Sequence, residues 1–117
     1  AEEALKPGNK VSDVHEAAMS VIGEVPSDLR AEGVEHLYSH TFMGHGEGLC
    51  IHEPPWITAD NDMVLKPGLI LSLEVPALDI PRFRVLGGFP EDVYLITAHG
   101  HETLTGGIPR DLFIVKR

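Results

Sequence analysis

Basic residues are scarce in this sequence: nine lysines and arginines stand against eighteen aspartates and glutamates, a formal net charge of −9. Such a chain has no positive surplus with which to displace the counterions of a phosphate backbone, so nucleic acid is not an expected partner. Cysteine is scarcer still. Cys50 stands alone, which excludes an intrachain disulfide and makes a reducing compartment, the cytoplasm, the expected setting. No apolar run reaches the roughly 18 residues of a membrane-crossing helix, so no membrane partner is expected. The opening AEEALKPG does not read as a secretory leader; helix formers followed by Pro7-Gly8 read as the last turn of a helix already under way, which leads to the expectation of a longer natural chain.

What is present is globular. Hydrophobic residues make up 43% and charged residues 23% of the 117, a composition suited to one domain with a modest core. A helix is expected from Ser12 or Asp13 to Ile22, with Glu16 in capping-box range of Asp13 and with Val14, Ala17, Ala18, Val21 and Ile22 on its apolar face. A second helix is expected to open at Pro26-Ser27-Asp28, marked by Leu29, Val34 and Leu37. Residues 39–48 are too rich in glycine to suggest a regular element. Strands are expected at 49–52, closed by Pro54-Pro55, then at Leu69–Val75 and Asp92–Thr97, with Glu102–Leu104 pairing back and a last strand at Leu112–Val115. Cys50 is expected inside the first of these, and Trp56 as a core or interface anchor. Residues 76–86 read as irregular, and Gly87-Gly88 as a turn or bulge. LKPG occurs twice, at 5–8 and 65–68, each copy reading as an element end and a turn. Helices first and antiparallel strands after make an α+β domain.

The chemistry concentrates in GHGEGLCIHEPP, residues 44–55. Glycines at 44, 46 and 48 let the chain pass close to a neighbour, and His45 lies between two of them. His52, seven residues on, is expected on a strand that holds its direction, while the glycine frame lets the two rings approach one pocket. Imidazole both ligates borderline divalent metals and carries protons near neutrality. Two carboxylates could complete such a site. Glu74 ends the apolar run LILSLE and shares a face with Ser72 and Ile70, where an unpaired charge is costly. Glu91 opens EDVYLIT. One histidine with two glutamates suits a divalent ion that activates water. His15, His36, His99 and His101 read as surface or satisfied core residues.

GHGEGLCIHEPP, LKPGLILSLEVP and GGFPEDVYLITAHGHETLT, in that order, resemble the C-terminal half of the pita-bread metallopeptidases, the family of methionine aminopeptidase, Xaa-Pro aminopeptidase, prolidase and the related creatinase. LKPGNKVSDVHEAA resembles the helix that precedes those blocks. The resemblance implies a pita-bread fold, here two helices followed by a curved antiparallel sheet, with residues 1–117 as a single partial catalytic domain. It implies a centre of two divalent ions (manganese, cobalt, iron or zinc), held by two aspartates, one histidine and two glutamates. On this chain His45 matches the histidine ligand, Glu74 the first glutamate ligand and general-base candidate, and Glu91 the bridging glutamate. His52 matches the histidine that contacts substrate and moves protons; His40 is carried as a second substrate-contacting candidate. The two aspartates have no counterpart here, since Asp60 and Asp62 fall in a turn. Hence the expectations of a missing N-terminal half or a second chain, a homo-oligomer, and a fragment that binds no metal and is inactive alone.

The full protein is expected to be a metal-dependent hydrolase cleaving an N-terminal or Xaa-Pro peptide bond. Two departures, Glu47 at a usually apolar position and Phe89-Pro90 where the family usually has an arginine, keep open a creatinase-like or lyase-type reaction on a small molecule, or a non-catalytic peptide binder.

Overall fold

The computed structural model describes residues 1–22, 42–74 and 91–109. A single 3-10 turn at Glu2–Ala4 leads into helix α1 (Val11–Ile22), followed by strands β1 (Gly44–Gly46), β2 (Ile70–Glu74), β3 (Glu91–Ile96) and β4 (His101–Thr103). The strands form one antiparallel sheet in the order β1-β2-β3-β4. The expected second helix, His40, the irregular stretch at 76–86, Gly87-Gly88 and the strand at Leu112–Val115 lie outside the described residues.

Helix α1 starts at Val11, ahead of the expected Ser12 or Asp13, because its first turn is satisfied from two sources. The Asp13 carboxylate accepts the Lys10 N–H at 2.7 Å, the carboxylate half of a capping box. Val11 and Ser12 donate their N–H groups, which no helical carbonyl can reach, to Met63 and Asn61 at 2.9 Å each. The segment after the 58–61 turn therefore caps the helix together with the Asp13 side chain. Lys10 adds an ion pair to Asp62 at 2.8 Å, and that partner raises its pKa through a hydrogen bond and charge.

One buried cluster joins Val11, Val14 and Ala18 of α1 to Leu71 of β2 and to Tyr94 and Ile96 of β3, with Leu5, Met43, Ile57 and Leu65 between them. The helical contributors recur at i, i+3 and i+7, the spacing of one face. Ala17 is only half-buried and Val21 is exposed, so the apolar stripe is narrower than the periodicity suggested. The two LKPG copies share one role: Leu5 and Leu65 are both buried, and Gly8 and Gly68 both take a positive φ, 95° and 93°, as a turn after proline demands. They also meet, since Gly8 donates its N–H to the Leu65 carbonyl at 3.0 Å.

Alternation along β2 divides the sheet. Leu71 points into the core, whereas Ser72 and Glu74 point to the opposite face, and register places His45 opposite Ser72 and Glu91 opposite Glu74. The apolar face builds the fold and the other face collects the polar side chains.

His15 is buried on α1, and burial holds its imidazole below the ordinary histidine pKa, with the charge of Asp60 opposing. The folded ring therefore resists protonation while the unfolded one accepts a proton near pH 6.5. Stability from this group is complete above that value and is lost as pH falls through it toward the lower folded pKa. A melting series from about pH 7.5 to 5 should show a falling midpoint, and His15→Gln should flatten part of the slope; an unchanged slope in the variant would contradict this account.

Candidate active site

His45 is the central residue of β1, and it is almost wholly buried, at 1% exposure. Its cross-strand partner is Ser72. Glu74 lies two residues further along β2, a diagonal neighbour within reach of a long side chain. The His45 Nε2 atom lies 3.7 Å from Glu74 Oε1 and 3.8 Å from Glu91 Oε1. Both separations are too long for hydrogen bonds. Nδ1 is 3.0 Å from the Gly46 carbonyl; a carbonyl only accepts, so Nδ1 donates there and Nε2 is the nitrogen turned toward Glu74 and Glu91.

The carboxylates are held as well. Ser72 donates its hydroxyl to Glu91 Oε1 at 2.6 Å, a second diagonal contact across β2 and β3. Glu74 is 7% exposed and stands directly opposite Glu91, a like-charged pair that a sheet disfavours. Glu47 brings a third carboxylate to 3.7 Å from His45 Nδ1. Two sets of side chains approach closely enough to share an ion: His45, His52 and Glu74, and His45, Glu47 and Glu91, the ligand atoms within each lying within 4.8 Å of one another. Imidazole nitrogen with carboxylate oxygen, two to one in the first set and one to two in the second, is the donor set of borderline to hard divalent cations. Ligands about 2.1 Å from one ion lie about 3.0–4.2 Å apart, the interval that holds both Nε2 distances. Each set fits a divalent metal, Glu74 falling in one and Glu91 in the other, and the crowding of carboxylates about the buried His45 is the feature that a cation relieves.

His52 reaches the same place by a different route from the one its sequence suggests. Residues 49–52 form no strand; they belong to a tight loop, and Cys50 is exposed on it. The Glu53 carboxylate accepts the N–H groups of Leu49 and Cys50 at 3.1 and 3.3 Å, which turns the backbone away from strand pairing. Gly46 donates its N–H to the Glu53 carbonyl at 2.8 Å and closes the loop. The His45 and His52 rings thus stand 4.6 Å apart, edge to face. The expected roles are exchanged: His45 sits on the strand and His52 on the loop.

The glycines explain the exchange. Gly44 has φ +150°, and a Cβ there would overlap the Ser72 carbonyl oxygen of the neighbouring strand; a Cβ on Gly46 would overlap the Pro54 carbonyl oxygen. They are needed because backbone passes close on both sides of His45, not because the histidine needs freedom.

Beside the histidines lies a group of rings. Trp56 is 5.2 Å from Phe42 and 6.4 Å from both His45 and His52, centroid to centroid. Asp60 and Asp62 are engaged elsewhere: Asp60 accepts the Thr58 hydroxyl at 2.7 Å, which lowers its pKa, and Asp62 pairs with Lys10. Ser72 and Phe42 escaped sequence reasoning. The alternation that placed Ser72 beside Glu74 was a usable signal for the first, whereas nothing local marks Phe42.

The sequence profile of metallopeptidase family M24 matches residues 1–98. The chain belongs to metallopeptidase family M24. Its fold is the pita-bread fold of that family. It is 36% identical, over 97% of its length, to a protein named probable dipeptidase PepE from Mycobacterium tuberculosis. It is 38% identical, over 88% of its length, to the Xaa-Pro dipeptidase of Pyrococcus furiosus. Among solved structures, the X-Pro aminopeptidase of Thermotoga maritima superposes with a TM-score of 0.68 at 26% identity, over 97% of this chain and 30% of that one. The chain spans only about a quarter of the curated relatives it matches, 27% of the mycobacterial and 26% of the archaeal protein.

The close passage at Gly44 yields a prediction. Gly44→Ala should destabilise the fold by about 1–3 kcal/mol in urea titration, the usual scale of backbone strain. Gly100→Ala, where a Cβ meets nothing within 4 Å, should be close to neutral. Equal midpoints for the two variants would show that β1 has room the geometry denies.

Proposed function

We propose that His45, Glu74 and Glu91 are ligands of a divalent metal centre in a hydrolase that cleaves an N-terminal or Xaa-Pro peptide bond. The observation that carries this reading is the position of His45 Nε2, set 3.7 and 3.8 Å from two carboxylate oxygens without hydrogen-bonding either. The dipeptidase names of the relatives support a peptide as substrate. In this reading the two aspartates implied by the resemblance are supplied by polypeptide other than these residues.

Bound there, divalent ions would supply a Lewis acid for the scissile carbonyl and a water of lowered pKa. The chain's own residues do the rest. Gly46 holds His45 in the tautomer that presents Nε2, and Ser72 fixes the Glu91 carboxylate, the outer-shell support that metal sites depend on. Glu74 is buried and beside His45, so it is placed to take a proton from the attacking water. His52 stands on the loop side of the same cluster, where its ring can donate to the oxygen that gains charge as the carbonyl is attacked.

Metal titration by calorimetry tests the reading on the full-length protein with manganese or cobalt. Glu74→Gln and His45→Ala should abolish measurable binding of at least one ion. Ser72→Ala should weaken it by about 10-fold or more, the usual cost of losing an outer-shell partner. Unchanged affinity in a Glu74→Gln, Glu91→Gln double variant would overturn the assignment. The 117 residues alone should bind metal more weakly than the full-length protein and show no turnover.

A further inference from the structure

The rings beside the histidines have no part in the scheme above. Trp56 lies in a segment joined to β1 on both sides of Ile57: Met43 donates its N–H to the Ile57 carbonyl at 2.8 Å, and Ile57 donates to the Gly44 carbonyl at 2.9 Å. Ile57 is fully buried in the core. Its neighbour Trp56 points the other way in this extended stretch and keeps 37% of its surface exposed. The Trp56 carbonyl accepts N–H groups from Thr58 and the Asn61 side chain, so the indole has a braced backbone. Phe42 packs on it at 5.2 Å and faces His52 at 6.0 Å. A tryptophan that could have joined the core instead forms an open wall one ring away from both histidines.

We infer that Trp56 and Phe42 form a specificity subsite for the neutral apolar side chain, a ring or branched aliphatic group, of a substrate residue flanking the scissile bond. The inference rests on the peptidase reading of the site. A wall 6.4 Å from His45 and His52 lies within one residue's reach of a carbonyl held between them. Indole and phenyl faces favour apolar groups through buried area and ring contact. A cation is also attracted by such faces, but the carboxylates alongside are the ligands of the proposed ions, whose charge repels a second cation.

The test uses the full-length protein, loaded with manganese, and dipeptides that differ only in the residue flanking the bond: glycine, leucine, proline or lysine. Trp56→Ala should raise KM for the leucine and proline peptides by about tenfold or more, with a smaller change in kcat. The glycine peptide should be affected least, and Trp56→Phe should recover most of the loss. Trp56 is the only tryptophan of these 117 residues, so the emission difference between wild type and Trp56→Phe reports occupancy directly, and it should respond to leucine and proline peptides at lower concentration than to glycine. Equal losses on all peptides would show a structural role, and losses confined to the lysine peptide a cation site; either overturns the inference. If no peptide is cleaved, the peptidase reading fails separately, and the emission titration with the same peptides still decides the wall.

Discussion

The short strand β1 is bonded along both edges, and the candidate site depends on that. On one side it pairs with β2 in the register that sets His45 opposite Ser72. On the other, Met43, Gly44 and Gly46 exchange hydrogen bonds with Ile57 and Glu53. A three-residue strand at the end of a sheet is ordinarily a frayed and adhesive edge. Here the returning segment covers it, and the histidine between the two glycines has its backbone fixed from both directions. The side chain is then fixed by its own Nδ1–H, which leaves Nε2 facing Glu74 and Glu91.

The same sheet serves two purposes because side chains alternate. Leu71, Tyr94 and Ile96 bury one face against α1 and the LKPG turns. His45, Ser72, Glu74 and Glu91 occupy the other. Core and site therefore share β2 and β3, so a slip of register by one residue would exchange the acids with the leucines. Thr105 accepts the Val93 N–H and donates its hydroxyl to Asp92, which pins β3 beyond its own ladder and helps hold Glu91 opposite Glu74.

The loop after β1 illustrates how local and long-range constraints compete. Leu-Cys-Ile-His has the composition of a strand, and a strand there would have set the direction of His52 by pleating. Glu53 prevents it by taking two backbone N–H groups that a strand needs for its ladder. A side chain satisfying nearby backbone is a known rival of regular structure. The rival wins because Gly46 and Gly48 let the loop close against Pro54 and Glu53. His52 then reaches His45 across the loop mouth.

The amphipathic helix, the strands at β2 and β3, the face of Glu74 and the two turns after LKPG were all legible in the sequence, since each follows from local periodicity or from proline and glycine chemistry. The motif blocks also carried the family, because their order and spacing along the chain are properties of the sequence itself. Tertiary structure decided the rest. The start of α1 moved to Val11 because its capping carbonyls come from residues 61 and 63, fifty residues away. The strand at Gly44–Gly46, hidden by its glycines, exists because β2 and the 53–57 segment press on it from either side. Ser72 and Phe42 joined the site through cross-strand register and ring packing, and no local pattern encodes which residues of separate segments will face one another.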